Sequence, residues 1–133
     1  IDNTDDPYET GLGFAVRLDK QTDFLGKQAC ERKKAAAPWP NRLVQVLVKD
    51  PEPLMHHGEI MLRNGKPVGE IRAASYGHTL GGAVGLAFVH GDPVVDKAFL
   101  DDGEWEVDIA GRRYPAVVSL RPMYDPGMER VKA

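Results

Sequence analysis

Asn64-Gly65 lies between the β-prone stretches Glu59 to Arg63 and Pro67 to Ala73, and no other element of this sequence restricts the fold as strongly. A type I′ turn needs positive φ at both central positions, and Asn followed by Gly meets that need at the least steric cost. The flanks are therefore expected to pair as an antiparallel hairpin. The rest of the chain follows the same pattern: fourteen Gly and ten Pro separate short segments rich in Val, Ile, Leu and aromatic residues, as in small barrels and sandwiches. Leu43 to Val48 is almost continuously apolar and reads as a central strand buried on both faces. Gly82 to Val89 is a further apolar strand. Trp105, Val107 and Ile109 alternate with acids in a period of two, which leaves one face wet. Ala110-Gly111 turns that strand back into Tyr114 to Leu120, where Pro115 belongs at a strand start or an edge. A short strand is also predicted over Phe14 to Leu18.

Only Leu25 to Ala37 reads as a convincing helix, being rich in Lys, Gln, Glu, Arg and Ala. Pro38 ends it. Two prolines and the restriction on residues that precede them make 35–41 a connector, so a boundary is placed between residues 1–40 and a β domain at 41–133. The 133 residues, 42% hydrophobic and 28% charged, suit one core. A net charge of -3 gives no basic stripe for a phosphate backbone, which argues against nucleic acid. The longest apolar run, Gly82 to Val89, is far short of the roughly 20 residues of a membrane span. Cys30 is alone, which excludes a disulfide framework within the chain and fits a reducing, cytoplasmic setting. The opening at Ile1 without Met, followed by an Asp-rich stretch, reads as an inner junction of a longer protein.

Local motifs add little chemistry. Gly11-Leu12-Gly13-Phe14-Ala15-Val16 has Val where a dinucleotide fingerprint needs its third glycine, and no strand opens into it. His56-His57 are neighbours that point to opposite faces of an extended segment, so a solvated pair is favoured over a metal site. The acids Asp2, Asp5, Asp6 and Glu9 lack the order of a calcium loop. No Gly-x-Ser-x-Gly elbow is present. Lys27, Arg32, Lys33 and Lys34 are read as the water-facing side of the helix. No catalytic residue and no metal ligand is assigned.

Three runs together, Pro7 to Phe14, Val16-Arg17-Leu18-Asp19-Lys20 and Asp23 to Ala29, resemble the segment that closes the folate-binding part of the glycine-cleavage T-protein (aminomethyltransferase) family. Arg42-Leu43-Val44, Gly65 to Glu70, Tyr76 to Gly81, Val84 to Ala87 and Tyr124-Asp125-Pro126 resemble that family's terminal barrel. The forms Tyr-Gly-His-Thr-Leu-Gly and Pro53 to Glu59 are closer to the folate-dependent dimethylglycine and sarcosine dehydrogenases. The resemblance implies a mainly β fold: a Greek-key-like antiparallel barrel of six or seven strands with one N-terminal helix, preceded by the tail of a folate-binding domain. It also implies a parent enzyme whose flavin (FAD) domain, outside these residues, oxidises an N-methylglycine, while tetrahydrofolate captures the one-carbon unit. A pterin-binding glutamate of the family falls on Glu9, Tyr8 is placed to pack on the ring, and Arg42 lies where members direct an arginine at folate. Gly77, His78 and Thr79 fall in a turn near the mouth of the cleft, and Met55-His56 replace an arginine found in many T-proteins. The implied partners are folate and the remaining domains of the parent, with the isolated chain inactive and weak for folate. The alternatives are a stand-alone aminomethyltransferase and a non-catalytic subunit-contact barrel of a heteromeric sarcosine oxidase.

Overall fold

Strand β1 (Asn41–Val48) starts directly after the Pro38-Trp39-Pro40 connector and forms the seam of the molecule, because it pairs on one edge with the strand over Gly82–His90 and on the other with the strand over Arg112–Ser119. The computed structural model describes residues 1–132. After β1 come β2 (Ile60–Arg63), β3 (Lys66–Gly77), β4 (Gly82–His90), β5 (Trp105–Ile109) and β6 (Arg112–Ser119). They close in the order β1-β4-β3-β2-β5-β6, every pair antiparallel. Three consecutive strands, β2 to β4, with β1 laid beside β4 by a long connection, make the Greek-key arrangement. The predicted mainly β barrel is thus present, with six strands.

The Asn64-Gly65 hairpin forms as expected, with φ of 51° and 74° at the two turn residues. Ala110 and Gly111 repeat this geometry between β5 and β6, with φ of 52° and 82°. The inward face collects Val44, Val46, Met61, Ile71, Ala87, Val89, Trp105 and Val107, among others, into one core. One end is plugged by helix α2 (Lys97–Asp101), whose Leu100 carbonyl accepts the indole N–H of Trp105 at 3.0 Å. Asp96 caps this helix by accepting from Phe99 N. Helix α3 (Glu129–Lys132) lies near the C-terminus. Among the described residues, no helix is long and apolar enough to cross a membrane.

Three expectations need correction. The Phe14 to Leu18 segment is not a strand; Gly13–Ala15 is a turn of 3-10 helix and Phe14 is 83% exposed. Its apolar residues express only a local propensity, and a strand also needs an edge to pair with. Next, β1 is buried on one face rather than two: Val44, Val46 and Val48 point into the barrel while Leu43, Gln45 and Leu47 are partly exposed on the outside. A barrel wall of antiparallel strands has only one dry face, so the apolar outward residues reflect packing against other segments. Lastly, the helix α1 (Lys27–Ala35) is shorter than predicted, because Gly26 at its start adopts a left-handed φ of 88°.

Gly69 marks the tightest approach between strands. A Cβ there would lie 2.0 Å from the carbonyl oxygen of Phe88, a backbone atom that cannot move aside without disturbing the β3–β4 ladder. Gly69→Ala is expected to lower unfolding stability by at least about 2 kcal/mol, the scale of overpacking in a tight core, as read from urea denaturation.

Candidate functional site

Asp6-Pro7-Tyr8-Glu9-Thr10 carries the sequence signature of a helix start: a capping acid, proline at the first position, glutamate at the third. One helical turn is all that forms. Asp6 Oδ1 accepts the N–H groups of Tyr8 and Glu9 at 2.8 and 2.9 Å, and the Asp6 carbonyl accepts both the N–H and the hydroxyl of Thr10. Gly11, with φ of 78°, then ends the turn. Strand β6 covers β1 only from Gln45 to Val48, so the earlier part of that edge is open to the tail. Glu9 uses it: its carbonyl accepts from Leu43 N at 2.8 Å. The connector is tied down likewise, with the Trp39 and Pro40 carbonyls accepting from Val95 and Gly91 N–H groups.

This docking buries the Glu9 side chain, leaving the residue 7% exposed. A carboxylate removed from water needs another partner, and the ammonium of Lys33 supplies it at 2.7 Å from Oε1. The same Nζ lies 2.9 Å from Asp6 Oδ2. Burial acts to lower the Lys33 pKa, but the hydrogen bonds to Glu9 and Asp6 outweigh it and hold the group above its usual 10.5. Burial likewise acts to raise Asp6, and there the Lys33 hydrogen bond, with the Glu9 and Tyr8 N–H groups, holds the acid below 3.8. A raised base stabilises the fold below its unfolded pKa and loses that contribution as pH climbs through the folded value. A depressed acid contributes above its unfolded pKa and loses it as pH falls. The Asp6–Lys33 pair therefore contributes in full between about pH 4 and 10.

The aromatic part sits behind the ion pairs. Tyr8, 6% exposed, stacks on Trp39 with centroids 5.6 Å apart and packs on Gly13 from another side. Trp39 in turn donates its indole N–H to the Lys33 carbonyl at 2.8 Å and carries the Arg42 guanidinium 5.4 Å from its ring centroid. Burial lowers the Arg42 pKa, opposed by the charge of Glu9. Two polar atoms here are buried with no partner among the described residues: Tyr8 Oη and Arg42 Nε.

The structure thus brings Tyr8, Glu9 and Arg42 together around Trp39. Sequence reading took Asp6 as a solvated acid, Lys33 as water-facing and Trp39 only as part of the connector. For Asp6 the signal was present in the Asp-Pro-x-Glu pattern. For Lys33 none existed, because helix α1 has no apolar stripe to say which cation turns inward. The turn at Gly77, His78 and Thr79 does not join this cluster: Gly82 packs on the Val48 carbonyl while Arg42 pairs with Val89, which puts the turn and Arg42 at opposite ends of β1, about 20 Å apart. Met55 is a core residue and His56 donates its backbone N–H to Glu59. Among the described residues, no three His, Cys, Asp or Glu side chains are grouped to hold a metal ion. A buried hydroxyl without a partner costs stability. Tyr8→Phe is therefore expected to raise the thermal midpoint of this chain by a few degrees, measured by differential scanning calorimetry.

Comparison with known proteins gives the family of this chain. The chain is 46% identical to the 4-methylaminobutanoate oxidase (formaldehyde-forming) of Paenarthrobacter nicotinovorans over 96% of its length, and it spans 15% of that protein. It is 34% identical to the mitochondrial sarcosine dehydrogenase of Mus musculus, spanning 14% of it, and 36% identical to an aminomethyltransferase of Nostoc, spanning 31%. The crystal structure of the glycine cleavage system aminomethyltransferase T from Bartonella henselae superposes with a TM-score of 0.67 at 20% identity, covering 86% of this chain and 31% of that one, a likeness of fold. The family model for the glycine cleavage T-protein C-terminal barrel domain matches residues 41–125, and the chain belongs to that family.

Proposed function

We propose that this chain is the C-terminal part of a flavin-linked, tetrahydrofolate-dependent enzyme that oxidises an N-methylated amino acid, and that the Glu9 cluster closes one side of its folate site. The observation that carries the reading is the buried Glu9 carboxylate beside two buried polar groups, Tyr8 Oη and Arg42 Nε, that have no partner among the described residues. Groups of this kind are satisfied from outside, by a ligand or by a neighbouring domain. They fit a pterin: its amino-pyrimidinone edge offers N–H donors to a carboxylate and an acceptor to a guanidinium.

Tetrahydrofolate, when bound, takes up the one-carbon unit released by oxidation of the N-methyl group. Glu9 would accept the pterin N–H donors, Arg42 would donate to an acceptor, and Tyr8 would fix the turn that carries Glu9. FAD would be held by the remaining domains of the parent, in a cytoplasmic protein. The relatives support this substrate class: 4-methylaminobutanoate and sarcosine are both N-methyl amino acids, and the identity to the oxidase exceeds that to the aminomethyltransferase, 46% against 36%. Dimethylglycine belongs to the same class. That difference favours an amine-oxidising parent over a stand-alone aminomethyltransferase or a subunit-contact barrel.

Loss of a charge-assisted hydrogen bond is worth about 1.5–3 kcal/mol, or roughly ten- to a hundredfold in affinity. Glu9→Gln in the full-length parent is expected to weaken tetrahydrofolate binding by that factor in calorimetry, with circular dichroism reporting a retained fold. Unchanged affinity in a folded variant would remove Glu9 from the site.

A further inference from the structure

Lys33 makes two kinds of contact in this cluster. Its ammonium bridges Glu9 Oε1 and Asp6 Oδ2, at 2.7 and 2.9 Å. Its backbone carbonyl accepts the indole N–H of Trp39, the ring that stacks on Tyr8 and lies under Arg42. One residue of α1 therefore connects the N-terminal turn, the connector and the start of β1. Its side chain is 34% exposed against 9% for that of Glu9, so the ammonium stands between the buried acid and solvent.

We infer that Lys33 is the positioning residue of the site: it holds the Glu9 carboxylate in one orientation and keeps Oε1 occupied, leaving Oε2 to meet the ligand. The inference rests on the reading of Glu9 as the ligand-facing acid. Asp6 fixes the bridge from the other side, since its Oδ1 is committed to the N–H groups of Tyr8 and Glu9 while Oδ2 takes Lys33. Lys33 thus cannot follow Glu9 if the acid rotates without giving up a second short contact. A ligand that presents one strong N–H donor to Oε2 fits this arrangement without displacing the cation. A second donor can still reach Oε1, because each oxygen of an ionised carboxylate accepts more than one hydrogen bond.

The charged and titratable groups facing Lys33 and its partners are Asp6 and Glu9 from the turn, Arg42 from β1, and Cys30 and Glu31 of α1, which lie near Tyr8. Removing the ammonium leaves Glu9 and Asp6 without their bridging cation, while arginine can restore the charge and offer a donor to each acid.

The test pairs K33M with K33R. In this chain, carbonyl-detected NMR titration follows the Asp6 carboxyl: its midpoint is expected to rise in K33M and to stay near the wild-type value in K33R. In the full-length parent, tetrahydrofolate affinity is expected to fall about tenfold or more in K33M and to return to within about threefold in K33R, a rescue that follows from the charge-assisted bond scale. An Asp6 midpoint that does not move in K33M would overturn the bridge itself. A moved midpoint with unchanged folate affinity in K33M, alongside weakened binding in E9Q, would overturn the positioning role and leave the folate reading standing. Unchanged affinity in E9Q would instead overturn the folate reading on which the role depends. If K33M does not fold, K33Q serves in its place for both readouts.

Discussion

A carboxylate that leaves water must be met by a cation or by N–H donors, and the N-terminal third of this chain is arranged around that requirement at Glu9. The backbone of the residue is committed to the barrel through Leu43, and its side chain is buried beside that contact. Lys33 comes to the acid, bringing α1 with it, and α1 brings the carbonyl on which Trp39 is seated. The connector, the helix and the capped turn are therefore held by one set of contacts. The barrel needs none of them to close. Its six strands form a closed sheet among themselves, and its core contains no residue of the tail.

That separation matters for function. The barrel supplies a rigid edge, the start of β1, where β6 stops short and Arg42 projects beside Trp39. The tail supplies the acid. In the proposed folate site, where these two parts meet, geometry would be set by the register of their contact, so small changes at Asp6 or Lys33 would act without touching a ligand. The relatives that share this chain are several times longer, with the chain spanning 14% to 31% of their length. Two buried polar atoms without a partner among the described residues, Tyr8 Oη and Arg42 Nε, lie at this seam.

Much of the barrel was legible in the sequence because strands and turns leave short-range marks. Asn64-Gly65 announces its own turn, and the alternation from Glu104 to Ile109 reports one wet face and one dry one. The apolar run Leu43 to Val48 misleads for a physical reason: local composition shows that both faces are apolar but not what lies against each, and here the outer face meets other segments and solvent. Phe14 to Leu18 misleads in the same way, since strand propensity without a free edge builds no strand. At the candidate site, Glu9, Tyr8 and Arg42 were proposed by likeness to a family, and the fold brings them together around Trp39. Lys33 was misread as water-facing because its partner acids lie 24 and 27 positions away, a long-range pairing that helix periodicity cannot signal.

The central claim, that the acid-bearing turn is docked on the barrel edge as part of one folded unit, is tested most directly by native-state hydrogen exchange at the Leu43 amide, whose acceptor is the Glu9 carbonyl. The account predicts protection at Leu43 close to that of neighbouring β1 amides, together with protection at Tyr8 and Glu9, whose N–H groups are held by Asp6. Exchange of these three amides at the rate of an exposed loop, while the rest of β1 stays protected, would contradict it.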